Sequence, residues 1–145
     1  MLKKSLPIFL FILALSVPSV FAQRVYTPKK GSKQRKTILN AVRVPVQKEL
    51  KQKIIFVVSD FNVSGSWAFV AGEPRAKNGG KPNYRGTKYE ANVKDGLFDD
   101  NFFALLKKKG KRWSVVALEM GCTDVCYSNW WDSYKAPKRI FPYTE

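Results

Sequence analysis

The chain has 145 residues, of which 26 are lysine or arginine, 11 are aspartate or glutamate and none is histidine, so its net charge is +15 at pH 7. This length suits one ordinary domain, and the lack of histidine excludes Ser-His and Cys-His nucleophilic sites and histidine-based metal sites. A strong positive charge favours anionic partners, namely lipid headgroups, acidic polysaccharides, acidic proteins or nucleic acid; alternatively, it serves only solubility.

The N-terminus has the three parts of a secretory signal peptide. Met1–Lys4 is short and basic, Leu6–Leu15 is almost wholly apolar, and Val20-Phe21-Ala22 fits a signal-peptidase site. We therefore predict that residues 1–22 are removed after Ala22 and that the protein is exported, either to the periplasm or as a secreted protein. An uncleaved anchor is the alternative, but a bilayer-spanning helix needs about 20 apolar residues. No later segment is apolar enough to span a membrane, and export makes nucleic acid a poor candidate partner.

Without the 22 residues and two lysines of the predicted signal, 123 residues remain with 24 basic and 11 acidic side chains, a net charge of +13. Residues 23–31 are predicted to form an extended basic lead-in, and residues 32–145 a single α+β domain. Ser32 is a candidate N-cap for an amphipathic helix over residues 32–51. Pro45 is expected to interrupt this helix near Arg43 or Val44.

Two β-hairpins follow the helix. KIIFVVSDFNV and WAFVAGEP are rich in β-branched and aromatic residues and flank the turn signal Ser64-Gly65. FFALL and RWSVVAL flank a second tip at Gly110. Between the hairpins, residues 75–98 contain four glycines and little periodicity, which predicts a long loop of functional interest.

This order of elements predicts an α+β fold in which an N-terminal amphipathic helix packs on a twisted four-stranded antiparallel sheet of two hairpins, followed by a short C-terminal aromatic helix. The helix is expected to cover one face of the sheet. One shared core is expected to bury the following side chains: Ile38, Val42, Phe56, Val58, Trp67, Phe69, Leu105, Trp113 and Val115.

The second hairpin tip carries the sequence KKKGKR. Its five cations are Lys107, Lys108, Lys109, Lys111 and Arg112. Charged hairpin tips are common because they are solvated, so the simplest interpretation is an exposed turn. The alternative is a contact site for an anionic polymer. Aromatics do not alternate with the basic residues here, as they do in many single-strand nucleic-acid binders.

The C-terminal part contains the only two cysteines, Cys122 and Cys126. In an exported protein a close pair predicts a disulfide, with two free thiols as the alternative. Tyr127, Trp130, Trp131 and Tyr134 then follow at helical spacing. Core packing accounts for most of such a run, but adjacent Trp130 and Trp131 cannot both face inward. We predict a ligand-contact region at these tryptophans, near loop 75–98.

Four segments together resemble a group of small exported bacterial proteins of unknown function: GSKQRKTILNAVR, VSGSWAFV, ALLKKKGKRWSVV and TDVCYSNWWDSYKAP. The resemblance covers about residues 26–142. It implies a cystatin-like or NTF2-like domain, in which a curved antiparallel sheet cradles a long helix. It implies no catalytic residues.

The sequence contains no recognisable catalytic set, metal-ligand set or cofactor motif, so we predict none of the three. The leading hypothesis is an exported, non-enzymatic basic protein that binds a small ligand or an anionic envelope component; an acidic protein is a further candidate partner. A hydrolase with an unidentified carboxylate site and a protein-interaction module that extends a sheet edge are the alternatives. The sequence does not define the oligomeric state.

Overall fold

A computed structural model describes residues 23–145; the predicted signal peptide, residues 1–22, lies outside this range. The elements in chain order are α1 (Lys33–Leu50), β1 (Ile54–Ser64), β2 (Trp67–Ala76), α2 (Glu90–Lys94), β3 (Phe102–Lys109), β4 (Arg112–Met120), α3 (Trp130–Ser133) and a 3₁₀ turn (Lys138–Ile140). The strands form an antiparallel sheet in the order β1-β2-β3-β4. The predicted α+β combination of a helix with a four-stranded antiparallel sheet is confirmed.

Helix α1 begins where the sequence predicts but does not break at the proline. The Ser32 side chain caps it by accepting a hydrogen bond of 3.2 Å from the Arg35 backbone N–H. Pro45 lies inside the continuous helix, so the predicted interruption is wrong. Four residues at i+4 spacing are buried against the sheet: Ile38, Val42, Val46 and Leu50. Burial of the last two, at about 1.5–3 kcal/mol each, offsets the cost of about 3 kcal/mol for a proline in a helix.

Both hairpins close through two-residue turns with a leading glycine. Ser64 pairs with Trp67 and Lys109 with Arg112, which leaves Gly65-Ser66 and Gly110-Lys111 as the loops. Gly65 and Gly110 have φ of 56° and 57°, whereas the residue after each is not in the positive-φ region. This is the pattern of type II′ turns, whose twist matches that of the flanking strands.

A one-residue bulge in each edge strand keeps apolar side chains on the helix-facing side. In β1 the register shifts between Val58 and Asp60, and in β4 the extra residue is Val116. Because strand side chains alternate, an inserted residue exchanges the two faces for the rest of the strand. The core under α1 therefore contains Ile54, Phe56 and Val58 before the β1 bulge and Phe61 and Val63 after it.

Both faces of the sheet are covered, so the expectation of one shared core is wrong. Ile38, Val42, Phe56, Val58, Trp113 and Val115 belong to the core under α1, whereas Trp67, Phe69 and Leu105 belong to a second core on the opposite face. The C-terminal segment closes this second core with Tyr127, Trp130, Ile140 and Phe141. The apolar run in β2, buried from Trp67 to Gly72, is typical of a strand covered on both sides.

Candidate anion-binding surface

The meander brings three separate segments to one end of the molecule. Since both hairpin turns lie at the same end of the sheet, residues 61–68 and 105–114 are neighbours, and Lys108 donates a backbone hydrogen bond of 2.7 Å to Ser66. The start of the described chain joins them, because Tyr26 and Val63 exchange backbone hydrogen bonds of 3.0 and 2.8 Å. The first turn of α1 follows within residues 23–36. We call these three segments the basic end.

The basic end carries a net charge of +11, out of +13 for residues 23–145 as a whole. Residues 23–36 contain six lysines and arginines and residues 105–114 contain five, while none of the three segments contains an aspartate or glutamate. The opposite end is formed by residues 48–55, 72–101 and 117–126, with nine basic and eight acidic side chains in total. Of the remaining residues, 37–47, 56–60 and 127–145 add four basic and three acidic side chains. The net positive charge is therefore concentrated at one end of the sheet, while the other end is nearly balanced.

The five predicted tip cations divide into two kinds. Lys107 and Lys108 are partly buried: their ammonium groups lie 4.2 Å from the Trp67 ring and 5.8 Å from the Trp113 ring, on opposite faces of the hairpin. Lys109, Lys111 and Arg112 are exposed. Within residues 23–145, the ion pairs involve other residues, so no carboxylate neutralises the tip.

The basic end also includes cations of the lead-in and of the first turn of α1, which the sequence alone did not indicate as part of the anion-contact site. Arg24, Lys29, Lys30 and Lys33 are exposed, whereas Arg35 lies 4.6 Å above the Phe61 ring. The unpaired N–H groups at the helix start add a partial positive charge, and the first turn of α1 has no acidic residue. Their composition was visible in the sequence, but their proximity to the second hairpin depends on strand pairing.

The predicted ligand-contact tryptophans have different environments. Trp130 is buried in the second core, while Trp131 is partly exposed and lies 4.5 Å from the Lys138 ammonium. Loop 75–98 instead packs under α1 through Tyr84, Tyr89 and Phe98. The expected proximity of this loop to an exposed indole is therefore wrong, because the sheet separates them. The ligand-contact role of the two tryptophans stays a prediction.

Hydrogen bonds and ion pairs fix loop 75–98 on the opposite end of the molecule. The Tyr84 hydroxyl donates to Asp100 at 2.9 Å, and Lys81 contacts the same carboxylate at 2.6 Å. Burial and the Asp100 hydrogen bond raise the pKa of Tyr84 well above its ordinary value. Beside these groups lies an open groove of about 420 Å³ with apolar and charged walls; among its lining residues are Tyr84, Arg85, Val93, Lys94 and Phe98.

A neighbouring groove of about 560 Å³ contains the carboxylates of Glu73, Asp99 and Asp100. Glu73 pairs with Arg75. Burial by itself would raise the pKa of Asp100, but its hydrogen bonds with Lys81 and Tyr84 outweigh burial, and the pKa is lowered. A general acid in glycoside hydrolysis needs a raised pKa. The lowered pKa of Asp100 therefore does not suit the general-acid role in the hydrolase alternative.

Cys122 and Cys126 form a disulfide with their Cα atoms 6.1 Å apart. Asn101 holds the adjacent backbone, because its side chain donates to the Cys122 carbonyl at 2.7 Å and accepts from the Cys122 N–H at 3.0 Å. The bonded pair is consistent with export.

Within residues 23–145, no helix combines the length and apolar character needed to cross a membrane. In the same residues, no three side chains of the His, Cys, Asp or Glu type lie close enough together to hold a metal ion.

The fold and the charge distribution define an α+β domain with one strongly basic end. No protein-family model matches this chain, and no curated protein or solved structure matches it. The cystatin-like or NTF2-like resemblance remains a prediction.

Proposed function

We propose that this protein is an exported, non-enzymatic domain that binds an anionic component of the cell envelope through its basic end. The observation that carries the proposal is the charge separation: the eleven cations of the basic end have no acidic residue in the same segments. A charge that served only solubility would need no such concentration. The exposed tip residues Lys109, Lys111 and Arg112 are the predicted contacts.

Binding of this kind adds many weak contacts rather than filling one pocket. Each lysine or arginine near an anionic lipid surface contributes roughly 1 kcal/mol, so three exposed tip cations account for about 3 kcal/mol. Because the contacts are solvated, salt screens them over a distance of about 8 Å at physiological ionic strength. Affinity should therefore fall steeply with added salt.

Two charge-reversal variants with equal net charge test the proposal. Lys109→Glu/Lys111→Glu/Arg112→Glu changes the basic end, and Lys48→Glu/Lys53→Glu/Lys77→Glu changes exposed lysines at the opposite end. Calorimetric titration with a soluble sulfated polysaccharide should show a loss of about a hundredfold in affinity for the first variant, as expected for three lost contacts of roughly 1 kcal/mol each. The second should lose much less. Equal losses would mean that only net charge matters and would overturn the proposal.

The open groove beside loop 75–98 favours a second candidate function, the binding of a small ligand. Its volume of about 420 Å³ and its mixture of apolar and charged walls suit a small molecule. Arg85 has no acidic partner within the described residues and could meet a carboxylate or phosphate. A thermal-shift screen of small carboxylates and phosphate esters tests this candidate. A stabilising compound should lose its effect in Arg85→Glu and Val93→Trp; an unchanged effect would exclude the groove.

A further inference from the structure

We infer that the anionic partner of the basic end is a lipid surface, on which this end rests with its lysines among the headgroups. This inference rests on the proposed function and narrows it from anionic envelope components in general to anionic phospholipid. Two observations favour the lipid: the shape of the charged surface and the kinds of side chain it presents.

The shape of the basic end suits an extended surface better than a short oligomer. Its cations come from a hairpin tip, a helix start and the lead-in, which are projecting parts of the fold. The two grooves described above instead lie at the opposite end, beside Tyr84, Phe98 and Asp100. A flat bilayer can meet all three projections at once without being enclosed.

The side chains at the basic end suit electrostatic attraction to many mobile anionic headgroups better than recognition of one fixed anion. Eight of its eleven cations are lysines and three are arginines. Lysine acts as a mobile point charge, whereas arginine is favoured where a planar fork recognises one fixed anion. Tyr26 is 43% exposed and presents the amphipathic ring that is common at headgroup depth. In the three segments it is the one large apolar side chain exposed to this degree, which indicates surface adsorption rather than insertion.

Co-sedimentation with lipid vesicles tests the inference. The exported protein is mixed with vesicles of phosphatidylcholine alone and with vesicles that also contain phosphatidylglycerol. We expect at least about tenfold tighter binding to the anionic vesicles, loss of that difference in Lys109→Glu/Lys111→Glu/Arg112→Glu, and its retention in Lys48→Glu/Lys53→Glu/Lys77→Glu. Circular dichroism of each variant establishes that it is folded.

The outcomes separate this inference from the proposed function. Binding to the sulfated polysaccharide through the basic end without binding to phosphatidylglycerol vesicles would overturn the lipid inference and leave the proposed function standing. Equal binding to both kinds of vesicle would also overturn it, because charge would not be the cause. Failure to bind either the polysaccharide or the anionic vesicles would overturn both.

Discussion

Two glycines are required for different reasons, and this difference is testable by substitution. Gly110 adopts φ of 57° in a turn where a Cβ would meet open space, so only its backbone conformation disfavours a side chain. Gly72 lies inside β2, where a Cβ would come 2.1 Å from the Val57 carbonyl oxygen. A backbone atom of the paired strand cannot move aside without breaking the sheet.

We therefore expect Gly110→Ala to lower the free energy of unfolding by about 1–2 kcal/mol, the cost of a left-handed conformation for a residue with a Cβ. Gly72→Ala should cost about 3 kcal/mol or more through overpacking. Urea denaturation of both variants measures the two values. Equal losses would contradict the different causes assigned to the two positions.

The contribution of Asp100 to the stability of the fold is expected to depend on pH. Its pKa is lowered in the folded protein, because its hydrogen bonds with Lys81 and Tyr84 outweigh the effect of burial. A carboxyl with a lowered folded pKa stabilises the fold above its unfolded pKa of about 3.9 and loses that contribution as pH falls. Stability from this group is thus present at neutral pH and disappears in acid.

Asp100→Asn should lower the free energy of unfolding at neutral pH by about 1 kcal/mol, a value that allows for partial solvent screening. The difference from the unmodified protein should shrink between about pH 5 and pH 2. The matched control is Asp99→Asn, an exposed neighbour, which should change stability little. A difference that stays constant with pH would contradict the assigned ionisation.

At the scale of elements, local sequence patterns predicted more than the packing between elements. The strands, both hairpin turns and the start of α1 follow from composition, glycine and the Ser32 cap. The break at Pro45 was wrong because burial of Val46 and Leu50 on the sheet opposes the local preference of proline. The i+4 spacing of Val46 and Leu50 was visible in the sequence, but the stabilisation from packing them on the sheet was not.

The second core was missed although the sequence contained a signal for it. Trp67, Ala68, Phe69, Val70 and Ala71 are apolar at every position, which indicates burial on both faces rather than one. The two bulges were not predictable, because residues 54–58 and 115–118 are apolar at every position and so hide the change in the phase of alternation. The placement of loop 75–98 under α1 could not be predicted either, since it depends on Tyr89 donating a hydrogen bond to Glu49, 40 residues earlier.

The C-terminal layer should depend more on packing than on its disulfide. Closing the short loop between Cys122 and Cys126 contributes about 2 kcal/mol in the chain-entropy description. Ile140 is fully buried in the second core, so Ile140→Ala should cost about 3 kcal/mol through lost contacts and a cavity. Chemical denaturation of Ile140→Ala and of Cys122→Ser/Cys126→Ser compares the two. A larger loss on removing the cysteines would contradict this ranking.

At the scale of the whole molecule, charge separation is the property on which the functional account depends. Composition predicted a net charge of +13 after export but not its distribution. Residues 23–36 and 105–114 are about 70 positions apart in sequence, and they meet only because the meander turns both hairpins toward the start of α1. The candidate site could therefore be predicted in part, at Lys107–Arg112, and its other half required the fold.

The most direct test of the account is to map the binding surface by backbone amide chemical shifts during titration with the sulfated polysaccharide at low salt. We predict that the largest changes fall in residues 23–36, 61–68 and 105–114 and disappear when salt is added. Changes concentrated in residues 72–101, or changes spread evenly over both ends of the molecule, would contradict the central claim.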